Sequence, residues 1–183
     1  MDIERVLRTI VEEFDREGIG YAVIGGFAVG ALGVMRTTMD LDFLLAAEDA
    51  ARMEDTMHRL GYRCVYRTEN VSQYVSDVKV LGEVDFVHAF RKASLSMLAH
   101  AREVAVFDGA LRVMVALPED VIGLKLQAAV NNPVRESREF VDIEALMEKH
   151  GACLDWERVR EYFALFDRLQ KFAELKGRHG PVA

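Results

Sequence analysis

Hydrophobic positions recur at helical spacing from the start of the chain. Ile3, Val6, Leu7, Ile10, Val11 and Phe14 are separated by acids and arginines, which predicts an amphipathic helix over 2–17, stopped by Gly18 and Gly20. The pattern then changes to short apolar runs bounded by turn residues. These predict strands at 21–24, 40–45, 62–66, 72–80 and 83–87, with a tight Leu81-Gly82 turn joining the last two. A helix over 48–60, ended by Gly61, lies between the second and third. Strands at 104–107 and 111–115 bracket Asp108-Gly109, a dipeptide that tolerates positive φ and therefore marks a hairpin. After Pro118 the signal is helical, over 119–130, 136–150 and 155–176, with Asn131-Asn132-Pro133 and Gly151 as separators. Strands first and helices last predict an α+β fold, a mixed β-sheet flanked by helices with further helices at the C-terminus. The expected division is an α/β core over 1–117 and a helical region over 118–183 packed on it, possible as one domain in a chain of 183 residues.

Composition narrows the class. Apolar residues make up 51% of the chain, enough for a sizeable core, yet no uninterrupted run approaches the roughly 20 residues that span a bilayer. The charged start is unlike a signal peptide, so a soluble cytoplasmic protein without a membrane partner is expected. Cys64 and Cys153 form no Cys-x-x-Cys and have apolar neighbours, which favours reduced packing thiols. A formal charge of −7 argues against nonspecific coating of nucleic acid, which needs clustered Lys and Arg, but leaves room for a docked tRNA end.

The candidate chemistry lies in YAVIGGFAVGALGVMRTTMDLDFLL, residues 21–45. Strand alternation projects Asp40 and Asp42 to one side and sends Leu41 and Phe43 into the core. Two carboxylates this close repel each other, and a divalent cation with hard oxygen ligands relieves them, commonly Mg²⁺ carrying a nucleotide's phosphates. Gly25-Gly26 at a strand-to-helix turn permits positive φ and close approach of the backbone to a phosphate, with 27–32 as the short helix that follows. On the strand 83–87, Asp85 is the candidate third carboxylate and Glu83 its rival on the same face. Arg36 is open to pairing with an acid or touching a triphosphate; Thr38 is open to a backbone bond before the strand. Lys125, between two leucines, reads equally as a snorkelling core-edge lysine or a triphosphate contact. Asp142 reads as an ion-pair partner of Arg138 one turn away, and His88, facing away from Asp85, as structural.

Together, Ile24-Gly25-Gly26, Asp40-Leu41-Asp42 and Asp85 resemble the signature of the nucleotidyltransferase superfamily with the polymerase-β-like fold. The Arg36-Thr37-Thr38 lead-in, the Leu117-Pro118 step before a helix carrying Lys125, and the segment 136–146 are similar to the small bacterial AbiEii-like group. There Arg138-Glu139 stands where that group usually has Lys-Asp. The resemblance covers roughly 20–148 and implies a nucleotidyltransferase-like fold and a Mg²⁺- (or Mn²⁺-) dependent transfer of NMP from an NTP to an acceptor hydroxyl, releasing pyrophosphate. Asp40, Asp42 and Asp85 would be the metal ligands and catalytic residues, with Gly25, Gly26, Arg36, Thr38 and Lys125 at the nucleotide. It implies an RNA end such as tRNA, a protein or a small molecule as acceptor. A toxin–antitoxin role with a cognate antitoxin, or a homodimer, belongs to the same group of expectations. The alternative is a non-catalytic nucleotide- or partner-binding module that retains the fold. A phosphohydrolase would need a His-rich ligand set, and the histidines are scattered.

Overall fold

Asp2 caps the first helix, its carboxylate accepting from the Arg5 amide at 3.2 Å, and Gly18 ends it in the left-handed region at φ 64°. The helix, α1 (Ile3–Glu17), buries Val6, Leu7, Ile10, Val11 and Phe14. The Phe14 ring meets Tyr21, Phe43 and Phe86, so α1 covers the sheet face that carries those three rings. The computed structural model describes residues 1–181 and divides the chain into two units, one of Met1–Ala31 with Arg36–Ala116, the other of Leu32–Met35 with the residues from Leu117 onward.

The first unit contains β1 (Tyr21–Ile24), α2 (Gly25–Ala31), β2 (Leu41–Ala46), α3 (Ala50–Arg59), β3 (Arg63–Arg67), β4 (Val71–Val75), β5 (Glu83–Ala89), α4 (Lys92–His100), β6 (Arg102–Val106) and β7 (Leu111–Val115). The strands form one seven-stranded sheet in the order β3-β4-β5-β2-β1-β7-β6. β2 runs parallel to β5 and β1 parallel to β7, while the remaining pairs are antiparallel, so the sheet is mixed as expected. Its core face carries Leu41, Phe43 and Leu45 of β2 with Val84 and Phe86 of β5, all fully buried.

Several local expectations change. The short helix begins on the glycines themselves, and β2 starts one residue after Asp40. The predicted strand 72–80 ends at Val75. Beyond it Ser76 Oγ accepts from the Val78 amide at 3.3 Å and the Val78 carbonyl accepts from Leu81 at 2.8 Å, a local turn that replaces ladder bonds. Helix α4 follows no clear apolar stripe and was not anticipated; Ser94 caps its start by accepting from the Arg91 amide at 3.3 Å. At the Asp108-Gly109 hairpin Phe107 and Asp108 both take positive φ, so Phe107 leaves the strand and joins the turn.

The second unit is helical: α5 (Pro118–Asn131), α6 (Glu136–His150), α7 (Trp156–Leu165) and α8 (Leu169–His179). The helix expected over 155–176 is two helices, broken where Asp167 takes φ 56°. Close approach of α5 and α7 depends on Gly123, where a β-carbon would lie 2.8 Å from the Tyr162 ring. Beside it the fully buried Asp120 accepts from Tyr162 Oη at 2.6 Å and from Arg158 Nη2 at 2.9 Å. Rings of Trp156, Phe163 and Phe172 close the core of this unit. His150 Nε2 lies 2.9 Å from the Leu32 carbonyl, which ties the segment Leu32–Met35 to α6. Cys64 is half-buried and Cys153 exposed, both as free thiols; exposure of Cys153 departs from the packing role expected of it. Among the described residues no helix is long and apolar enough to cross a membrane.

Candidate active site

The site is built by strand register. Ile24 of β1 stands opposite Asp42 of β2, Asp42 opposite Asp85 of β5, and Asp85 opposite Gln73 of β4. Residues in direct register share a face, and neighbouring strands lie about 4.8 Å apart. Asp42, Asp85 and Gln73 therefore form one row of polar side chains across three strands, on the face opposite Phe43, Phe86 and Tyr74. All three are half-buried. Register distinguishes the two acids of β5: Asp85 stands opposite Asp42, whereas Glu83 is exposed and stands opposite Val75.

The diglycine turn closes one end of this row. Gly25 adopts φ 68°, a left-handed conformation that glycine accepts without penalty. A β-carbon there would lie 2.0 Å from Asp42 Oδ2 and 2.5 Å from its Cγ, so the backbone of Gly25 occupies space that no other residue could share with the Asp42 carboxylate. At Gly26 a β-carbon would lie 2.9 Å from Thr38 Oγ1, and 3.9 Å from Arg36 Nη2. Arg36 donates from Nη1 to the Thr37 carbonyl at 3.0 Å. Thr38 makes the backbone bonds its position foretold, its hydroxyl accepting from the Asp40 amide at 3.4 Å and donating to the Asp40 carbonyl at 3.3 Å.

The structure thus brings Gly25, Gly26, Arg36, Thr38, Asp42 and Asp85 into one neighbourhood. Asp40 is exposed on the run-in to β2, and among the described residues no three His, Cys, Asp or Glu side chains are gathered as a metal-holding group. Lys125 belongs to the second unit. There it is buried, with Nζ 2.8 Å from Glu139 Oε2 and 2.7 Å from Asp142 Oδ2. Asp142, expected opposite Arg138, is thus a partner of Lys125. Sequence reasoning missed Gln73, whose amide Nε2 donates to Asp85 Oδ2 at 3.2 Å. The available signal was a polar residue between Val71 and Val75 on an alternating strand. His88 is structural in its contacts: Nε2 lies 3.0 Å from Ser72 Oγ and Nδ1 3.1 Å from the Glu69 carbonyl, on the opposite face from Asp85.

The mixed seven-stranded sheet with its flanking and C-terminal helices is a nucleotidyltransferase-like fold. The family described as uncharacterised nucleotidyltransferases matches residues 2–170, and the chain belongs to it. Solved structures agree in fold. The antibiotic-resistance factor ANT(2'')-Ia superposes with a TM-score of 0.70 at 19% identity, covering 98% of each chain. The lincosamide antibiotic adenylyltransferase LnuA, lincomycin-bound, gives 0.58 at 14% identity over 78% of this chain and 95% of its own. An antigenic nucleotidyltransferase-like protein from Paracoccidioides brasiliensis gives 0.60 at 15% identity over 100% and 94%. No curated protein matches the chain.

Proposed function

We propose that the chain transfers a nucleoside monophosphate from an NTP to an acceptor hydroxyl with release of pyrophosphate, supported by Mg²⁺ or Mn²⁺. The observation that carries this reading is the direct register of Asp42 with Asp85, with Asp42 seated against Gly25. Two half-buried carboxylates on one face form a hard oxygen donor set, and their mutual repulsion fits them to a divalent cation. Asp40, one residue before β2, is the third candidate ligand. A bound cation would supply charge neutralisation at the triphosphate and would lower the pKa of the acceptor hydroxyl.

The chain's own groups do the rest. Backbone amides at Gly25 and Gly26, with Arg36 and Thr38 alongside, orient the triphosphate. Asp85 takes the acceptor's proton as the hydroxyl oxygen forms its bond to the α-phosphorus and the bond from that phosphorus to the β-phosphate bridging oxygen breaks. Catalysis by this arrangement is chiefly positioning and electrostatics.

Acceptors in the running are a small molecule, a protein and an RNA end such as tRNA; the AbiEii-like resemblance adds a toxin–antitoxin role, with a cognate antitoxin or a second copy as partner. Small hydroxylated molecules come first, because structural neighbours include the lincomycin-bound adenylyltransferase and ANT(2'')-Ia in complex with adenylyl-2''-tobramycin. The test is incubation with each NTP labelled at its α-phosphate, Mg²⁺ or Mn²⁺, and either a cell extract or a panel of hydroxylated small molecules, beside an Asp40→Ala, Asp42→Ala double variant. Label moved by the wild type alone supports transfer and identifies the acceptor class. Metal-dependent nucleotide binding with no transfer to any acceptor favours the non-catalytic module.

A further inference from the structure

We propose that Gln73 is a positioning residue for Asp85, its side-chain amide fixing the direction in which the carboxylate presents its oxygens. The inference rests on the nucleotidyltransferase reading above and extends the site by one strand.

Strand β4 alternates cleanly. Ser72 and Tyr74 are fully buried on the core face, whereas Val71, Gln73 and Val75 are half-buried on the face shared with the acids. Gln73 is thus the polar member of an otherwise apolar row on its strand, and a polar group in a half-buried setting is retained where it has a partner. That partner is Asp85, directly opposite in register, with Nε2 to Oδ2 at 3.2 Å. An ionised carboxylate only accepts, so the amide NH₂ end must face it, which settles the orientation of the Gln73 side chain.

The chemical type of the residue is informative. A lysine or arginine at 73 would neutralise Asp85 and compete with any cation for its oxygens. A neutral amide donor orients the carboxylate without adding a positive charge that would compete with a cation. On the other flank the Asp42 carboxylate fills the space beside Gly25, where a β-carbon would lie 2.0 Å from Oδ2. The acid pair thus has a donating amide at one end and the glycine turn packed close at the other, and a hydrogen-bonding partner behind a metal-binding carboxylate commonly orients it.

The test uses the full chain with Mn²⁺ alone as probe, free Mn²⁺ being followed by its paramagnetic resonance signal, and NTP transfer kinetics alongside. Gln73→Met keeps the side chain's length and removes the amide; Gln73→Leu is the second variant in case Met repacks. Both should weaken Mn²⁺ binding by about 10–100-fold, the usual loss when such a partner is removed. They should lower kcat while leaving KM for the NTP and the melting temperature near wild type, a split that a packing role alone would not produce. Wild-type Mn²⁺ affinity and kcat in both variants overturn the role of Gln73 and leave the transferase reading standing. Wild-type protein that takes up no Mn²⁺, or whose uptake Asp42→Asn and Asp85→Asn leave unchanged, overturns the reading beneath it and the inference with it.

Discussion

Asp42 closes position 25 to any side chain: a β-carbon on residue 25 would overlap the Asp42 carboxylate, at 2.0 Å from Oδ2. A turn glycine and a strand acid seventeen positions later in the chain thus become one structural element, joined through the antiparallel pairing of β1 with β2. Gly25→Ala should destabilise the protein by about 1–3 kcal/mol, because alanine at φ 68° is strained. It should also push Asp42 aside and reduce nucleotidyl transfer by about 10²-fold or more, the effect of a small misplacement at a reacting centre. Thermal melting and labelled-NTP transfer read the two effects separately; a variant with reduced stability and undiminished transfer would detach Gly25 from the site.

Strand register sets the two acids of β5 apart, with Asp85 opposite Asp42 and Glu83 opposite Val75. Asp85→Asn and Asp42→Asn should each lower transfer by about 10²-fold or more, the scale of losing one preorganised electrostatic group. Glu83→Gln, opposite Val75 and exposed, should stay near wild type. The reverse order of Asp85 and Glu83 in transfer assays would show that the functional pairing is not the one in the sheet.

Lys125 sits between two carboxylates, with each side chain of the trio less than a tenth exposed. Lys125→Met would strand Glu139 and Asp142 as buried acids, with a loss of about 3–5 kcal/mol, as for other broken buried pairs. Adding Glu139→Gln and Asp142→Asn should restore most of the melting temperature. A Lys125→Met protein of wild-type stability with raised KM for NTP would instead assign the lysine to the nucleotide.

Burial holds the His88 imidazole below its ordinary pKa of 6.5, with neutral nitrogens between Ser72 and the Glu69 carbonyl. In the unfolded chain the ring takes its proton first as pH falls. Stability contributed by neutral His88 is therefore present above about pH 6.5 and is lost as pH falls towards the depressed folded value. Denaturant midpoints measured across pH 5–7.5 should show this acid loss in the wild type and a shallower one in His88→Gln. Equal slopes in both proteins would remove His88 as its source.

Much of this was legible in the chain because it depends on neighbours in sequence. The α1 stripe, β1 at 21–24, α6 at 136–150 and the Asp108-Gly109 turn follow from periodicity and from residues with unusual backbone freedom. Helix α4 was not legible, since its Ser-rich stretch lacks a strong apolar stripe and is held by its surroundings. Nor was the early end of β4, because the apolar Val78 and Val80 look like strand residues while the Val78 carbonyl closes a turn with Leu81 and the Val80 carbonyl accepts from the Asp2 amide.

The sequence by itself determined the chemical inventory: a glycine pair at a strand end, an Asp-x-Asp at the start of the next, and a third acidic strand, in an order that resembles a nucleotidyltransferase. Tertiary structure decided which of these residues meet. Pairing β2 parallel to β5 set Asp85 opposite Asp42, pairing β4 to β5 set Gln73 opposite Asp85, and packing α5 on α6 gave Lys125 its two acids. Local sequence sets alternation along one strand, but the offset between strands depends on burying the whole core face at once. A shift of one residue would turn every acid in the row towards that core.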